Sequence, residues 1–176
     1  MKILKLLTVL FALCLFSTVC YAETNLGLVD IQKIAQESNA FKDAMAKIES
    51  KAGEFQKNTE KLSAVLTKKG AELEKQKNVL SPEEYNKRQD AFSKEVEKEE
   101  KNFYNQRIAL EKATQTAKEA LFSQTKSIIE NIAKTKSISV VFDKNFAFYN
   151  VDSIDITNDV LLEVNKQLKS IEINLS

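Results

Sequence analysis

Residues 41–80 read FKDAMAKIESKAGEFQKNTEKLSAVLTKKGAELEKQKNVL. Within this stretch Phe41, Met45, Ile48, Ala52, Phe55, Thr59, Leu62, Leu66, Lys69, Leu73, Gln76 and Leu80 follow one another in alternating steps of four and three. That alternation averages 3.5 residues, which keeps one stripe of an α-helix turned toward a second helix for more than five heptads. Thr59, Lys69 and Gln76 put polar groups on the stripe, so the seam packs less tightly than a leucine zipper.

The partner helix follows directly. Leu80-Ser81-Pro82-Glu83-Glu84 contains the single proline of the chain. Ser81 can accept from first-turn amides, Pro82 suits a first helical position where no amide partner is needed, and Glu84 can close a capping box. From there Tyr85, Phe92, Val96, Glu99, Phe103, Gln106, Leu110, Ala113, Ala117 and Ala120 continue the spacing, followed by Leu121, Ile128 and Ile132. Two helices, about 41–77 and 82–136, joined by so short a turn must run antiparallel. At about 1.5 Å per residue the shorter one is roughly 55 Å long. Residues 41–136 are therefore expected to form a hairpin arm with its tip near 78–82.

On either side of the arm the pattern shortens. Before it, Leu26-Gly27-Leu28-Val29-Asp30-Ile31 suits one strand, a short helix runs from Ile31 to Glu37, and Ser38-Asn39 can cap the next one. After it, 138–142 and 146–150 flank Asp143-Lys144-Asn145 and read as a β-hairpin. Val160, Leu161, Val164, Leu168 and Ile171 then mark a short amphipathic helix with Thr157 as its expected cap. Residues 23–40 and 137–176 thus make a small β-containing body. Three short strands and one short helix supply little core for such a lever, so the body is expected to oligomerise.

The first residues have a different character. Lys2 and Lys5 precede an apolar run from Leu6 to Phe16, and a small residue, Ala22, stands before Glu23. This is the layout of a secretory signal peptide cleaved after Ala22, and the run is shorter than the roughly 20 residues of a spanning helix. Acylation at Cys20 is the less favoured alternative, because such a site favours a leucine and a small residue ahead of it and Ser17-Thr18-Val19 lacks that pattern. Both cysteines, Cys14 and Cys20, fall within residues 1–22, so the exported chain would form no disulfide despite its oxidising destination.

Composition narrows the chemistry. The chain has no His and no Trp, and its three glycines, Gly27, Gly53 and Gly70, are too scattered to cradle a phosphate. Without His or an exported Cys, the commonest general base, nucleophile and soft metal ligands are missing, so neither catalysis nor a cofactor or metal is expected. Without Lys2 and Lys5 the chain carries 24 basic and 25 acidic residues, net −1. This total hides a polarity: 41–136 holds 20 basic and 16 acidic residues, and the rest of the exported chain 4 and 9. Lys68, Lys69, Lys75, Lys77, Lys87 and Arg88 gather near the tip, but Glu72, Glu74, Glu83, Glu84 and Asp90 interleave with them. A solvated helix end is the simpler reading, with a specific anion site, or contact to a bound protein, as the functional one. This interleaving, together with export, argues against nucleic acid. Phe55, Phe92 and Phe103 fit the seam, whereas Tyr104 lies one step off it and is a candidate exposed contact.

Taken together, the chain resembles the Skp/OmpH family of periplasmic chaperones. The most specific stretch runs from Val140-Val141-Phe142-Asp143 to Phe148-Tyr149-Asn150, followed by Asp155-Ile156-Thr157 and Val160-Leu161. Val29-Asp30 and Gln36-Glu37-Ser38 are also similar. The resemblance implies a mostly α, α+β homotrimer whose strands join in a central barrel and whose arms surround a cavity for unfolded outer-membrane proteins, held without ATP. Leu26, Leu28, Val140, Phe142, Phe146 and Phe148 would form the trimer core. Family members are often strongly basic; with only the arms net positive here, contact with anionic membrane or lipopolysaccharide is expected to be weak. A structural tether or scaffold of the cell envelope would need the same helices but no client cavity.

Overall fold

A computed structural model describes residues 25–175. The expected signal peptide, 1–22, lies outside the described residues. The elements run β1 (Leu26–Val29), α1 (Ile31–Glu37), α2 (Asn39–Gln76), α3 (Pro82–Thr135), β2 (Val140–Asp143), two 3-10 turns (Lys144–Phe146 and Asp152–Ile154) and α4 (Thr157–Gln167). A long helical hairpin, α2 and α3, thus separates the two strands of a small sheet.

The hairpin begins and ends as its residues dictate. The Ser81 hydroxyl accepts from the Glu84 amide at 3.3 Å, and Pro82 occupies the first helical turn of α3. At the far end α3 closes in a Schellman motif: the Ile138 amide bonds the Ala133 carbonyl at 2.8 Å and the Ser137 amide that of Lys134 at 3.3 Å. Ser137 holds a positive φ of 55° there, in a position usually taken by glycine. The reversal sends the chain back alongside β1.

The strands pair in parallel, Leu26 with Val140 through Val29 with Asp143. A parallel pair needs a long crossover, and here the entire hairpin supplies it. On its other side β1 is bridged at Leu28 by Asp155, and the Ile156 amide reaches the Leu28 carbonyl at 2.9 Å. Gly27 has a packing role: a side chain there would come within 3.2 Å of Ile138.

Two apolar clusters hold this end together. One gathers Val29, Ile34, Leu121, Ile128, Ile156, Val160 and Val164. The other joins Ala40, Ala44 and Ile48 of α2 to Ala113 and Ala117 of α3, with Ile171 laid across them. The roots of both long helices are therefore part of the core.

Polar side chains fix the junctions. Asp30 caps α1 by accepting from Lys33 N at 2.7 Å, and its own amide donates to Thr157 Oγ1 at 2.9 Å. Asn165 of α4 accepts from the Asn39 amide at 2.8 Å, satisfying the start of α2. Ser38 is the N-cap of α2 by position only; its hydroxyl is buried and makes no cap bond. Lys136 pairs with Asp159, and Lys144 Nζ with Asp155 Oδ2 at 2.6 Å.

Three local expectations are corrected. The β-hairpin across Asp143-Lys144-Asn145 does not form. Asp143 Oδ1 accepts from the Asn145 amide at 3.0 Å and starts a 3-10 turn, while β2 takes β1 as its partner. Residues 146–150 form no strand. Thr157 does not cap α4: it is the helix's first residue, its hydroxyl is committed to Asp30, and Asp155 Oδ1 receives the Thr157 amide at 2.9 Å. Ile171 lies beyond α4, which ends at Gln167, in an irregular tail.

Candidate functional site

Two surfaces stand out, one along the arm and one on the body. Ile48 and Ala113 are the last buried residues on α2 and α3; from 49 to 112 no residue is buried. The seam residues of this span, Phe55, Leu62, Leu66, Leu73, Leu80, Phe92, Val96, Phe103 and Leu110, are all half-buried, as are Phe41 and Met45 nearer the root. They face each other across the hairpin, but nothing covers them from the sides.

The seam keeps its spacing by different means along its length. Phe55 and Phe103 meet with ring centroids 6.0 Å apart, tilted by 59°. At Gly70 the missing side chain leaves room for the Phe92 ring, whose Cζ would lie 3.3 Å from a β-carbon. Beside it is an open groove of about 410 Å³ lined by Leu66, Gly70, Phe92, Val96 and Phe103. The polar interruptions are bridged: Lys69 Nζ reaches Glu95 at 2.6 Å, and Arg88 donates to Gln76 Oε1 at 2.9 Å. Tyr85 donates to Glu74 at 3.2 Å; desolvation raises the phenol's pKa, and the bond to that carboxylate and its charge add to the shift. Such exposed polar pairs contribute little to stability.

The tip cations do not converge on an anion site. Lys69, Lys77 and Arg88 turn to Glu95, Glu74 and Gln76. Lys68, Lys75 and Lys87 are exposed. Tyr104 is exposed, with the Arg107 guanidinium 5.9 Å from its ring centre. Val65, Val79 and Ile108, not singled out in the sequence, are also exposed. Their off-seam positions were the available signal.

On the body, Leu26, Val140 and Phe142 are roughly half exposed, and Phe146 and Phe148 stand 84% and 110% exposed. Tyr149 and Val151 extend the same run. Leu28 differs, being covered within the protomer. So many large apolar groups on one short segment exceed the scatter normal for a monomer's surface. The segment is anchored at its base by Asp155. Desolvation pulls that carboxyl's pKa up, but the bonds from Lys144 and Thr157 outweigh it and hold the value at about 2. The same bond to Asp155 raises the pKa of Lys144. Phe122 and Leu162, exposed on α3 and α4, are further apolar positions missed in the sequence.

Among the described residues no helix is long and apolar enough to cross a membrane, and no group of three or more His, Cys, Asp or Glu could hold a metal ion.

The sequence model of the OmpH-like outer membrane protein family matches residues 25–164. The crystal structure of an OmpH-like protein of Caulobacter crescentus CB15, described as a candidate outer membrane chaperone, superposes with a TM-score of 0.75 at 12% identity, over 87% of this chain and 90% of that one. At that identity the likeness is one of fold. A search of curated proteins gives no match. The family match spans both strands, the whole hairpin and most of α4, and on that ground the chain belongs to the OmpH-like family.

Proposed function

We propose that this protein is a periplasmic holdase: exported with cleavage after Ala22, it binds unfolded outer-membrane proteins and keeps them from aggregating, without ATP. The observation that carries the reading is the arm from 49 to 112, which offers half-buried apolar residues along its length and buries none of them. Many weak contacts on a long surface suit a client that must be held and then released. Family membership and the chaperone description of the Caulobacter relative support the same role.

In this reading residues 23–40 and 137–176 form the assembly body and 41–136 the working arm. Three copies join through Leu26, Val140, Phe142, Phe146 and Phe148, with Leu28 behind them, and the arms enclose the client. Tyr104 and the cations Lys68, Lys69, Lys75, Lys77, Lys87 and Arg88 are contacts along the way, and anionic lipid or lipopolysaccharide binds weakly at most.

The test is to dilute a denatured β-barrel protein into the purified chain without nucleotide and follow light scattering, with sedimentation of the chain alone in parallel. Suppression at about one trimer per client is expected, together with a trimer at micromolar concentration. Aggregation that proceeds as in buffer would refute the holdase and leave the envelope-scaffold role, and a stable folded monomer would refute the assembly.

A further inference from the structure

Beyond α4 the chain reads Leu168-Lys169-Ser170-Ile171-Glu172-Ile173-Asn174-Leu175, with apolar side chains at every second position from 171. The segment lies past the residues that define the family match. It returns along the root of the arm, where Ile171 is 8% exposed over Ala40, Ala44, Ile48, Ala113 and Ala117. Ile173 and Leu175 pack against the same cluster but are only half covered, so the hold is looser beyond Ile171. Next to Glu172, Ile173 and Asn174 an open groove of about 610 Å³ continues along α3, past Thr116, Lys112 and Ile108 toward the arm. The seat is longer than the segment that occupies it.

Strands of outer-membrane barrels have the tail's own pattern, since lipid-facing apolar and lumen-facing polar residues alternate along them. We propose that the arm-root seat, together with the open groove that continues it, is a binding slot for extended client segments of alternating polarity, and that the tail at 171–175 occupies its near end in the absence of client as an internal competitor. This rests on the holdase reading and deepens it by naming a slot and the kind of segment it takes. A client segment enters at the open end beside Ile108, displaces Leu175 and then Ile173, and leaves Ile171 in the core. Alternate covering of one apolar seat explains how a surface so near the core stays protected when no client is bound.

The test uses the full-length purified protein and a fluorescent peptide of ten residues with apolar side chains at every second position, against a scrambled peptide of identical composition. In the Ile173→Asp/Leu175→Asp variant, which leaves Ile171 in place, the alternating peptide is expected to bind about tenfold more tightly by anisotropy. That is the gain when a slot previously filled about nine-tenths of the time becomes free. Ile108→Asp, at the open end, should weaken the same peptide, and the scrambled peptide should respond to neither change. Independently of any variant, saturating alternating peptide should speed amide exchange at 171–175 of the unaltered chain. Unchanged affinity in the double variant, equal response of the scrambled peptide, or unaltered exchange in the tail would each overturn the proposal. A chain that still suppresses barrel aggregation while failing these tests loses only the slot, and the holdase reading stands.

Discussion

The root and the shaft of the hairpin are the same two helices, yet they are built on different terms. At the root, α2 and α3 present alanines and Ile48 to a core that also takes in α4, the strands and the tail, and these residues are almost wholly covered. Along the shaft larger side chains, Phe55, Leu66, Phe92 and Phe103, meet only one another and remain half open. The root gains stability from burial on several sides, whereas the shaft has one seam and exposed polar bridges. Local stability follows buried apolar contact, so the shaft is the part free to open and bend.

The sharpest way to break this comparison is to truncate one apolar residue in each region. At the root, Ile128 of α3 is almost fully covered, and Ile128→Ala should cost about 2–5 kcal/mol in chemical unfolding. Leu73→Ala, on the half-open seam, should cost roughly 1 kcal/mol. Equal losses at the two sites would mean that the shaft is as tightly packed as the root.

Acid should separate the regions next. Asp155 titrates at about 2 in the folded chain, below its ordinary 3.8. A lowered carboxylate contributes stability that is complete above the ordinary value and is lost as pH falls from about 4 toward 2. Thermal melts across that window should show the body weakening, with a drop of a few degrees that Asp155→Asn abolishes because the variant has already lost it. A parent and variant that fall in parallel would remove the Lys144–Asp155–Thr157 cluster from the account of body stability.

A smaller effect is expected where the shaft is altered in the other direction. Lys69→Leu with Gln76→Leu would trade the bridges to Glu95 and Arg88 for a continuous apolar seam. The melting temperature should rise slightly, while the range of clients held, compared with one small and one large barrel protein, should narrow, since stabilisation commonly costs function that needs flexibility. Full activity toward both clients would show that bending of the shaft is not what the arm contributes.

The two regions were also unequally legible in the sequence. The shaft announces itself, because a 3.5-residue spacing has one structural solution and Ser81-Pro82 marks its turn. The body does not, because its residues satisfy more than one local rule. Asp143 and Asn145 are as fit for a 3-10 turn as for a hairpin, and what decides is that β2 finds its partner in β1, across the entire arm. Asp155 and Thr157 can each cap a helix, and the choice is set by Asp30, which claims the Thr157 hydroxyl. Leu168 and Ile171 are spaced as on a helix, yet Leu168 is the C-cap and Ile171 sits on the arm root instead. The candidate contacts divided the same way: seam residues follow from period, and so does the exposure of off-seam Val79, while Phe122 and Leu162 are exposed for reasons of tertiary placement that no spacing encodes.

The central claim is that the shaft is the working surface and the body the assembly. Amide hydrogen exchange of the protein with and without a bound unfolded barrel protein tests it most directly. Protection should rise along 55–110 on both helices while Val29, Ile34, Val160 and Val164 keep the exchange they have without client. Protection confined to the body, or a shaft whose exchange is unaltered by bound client, would contradict it.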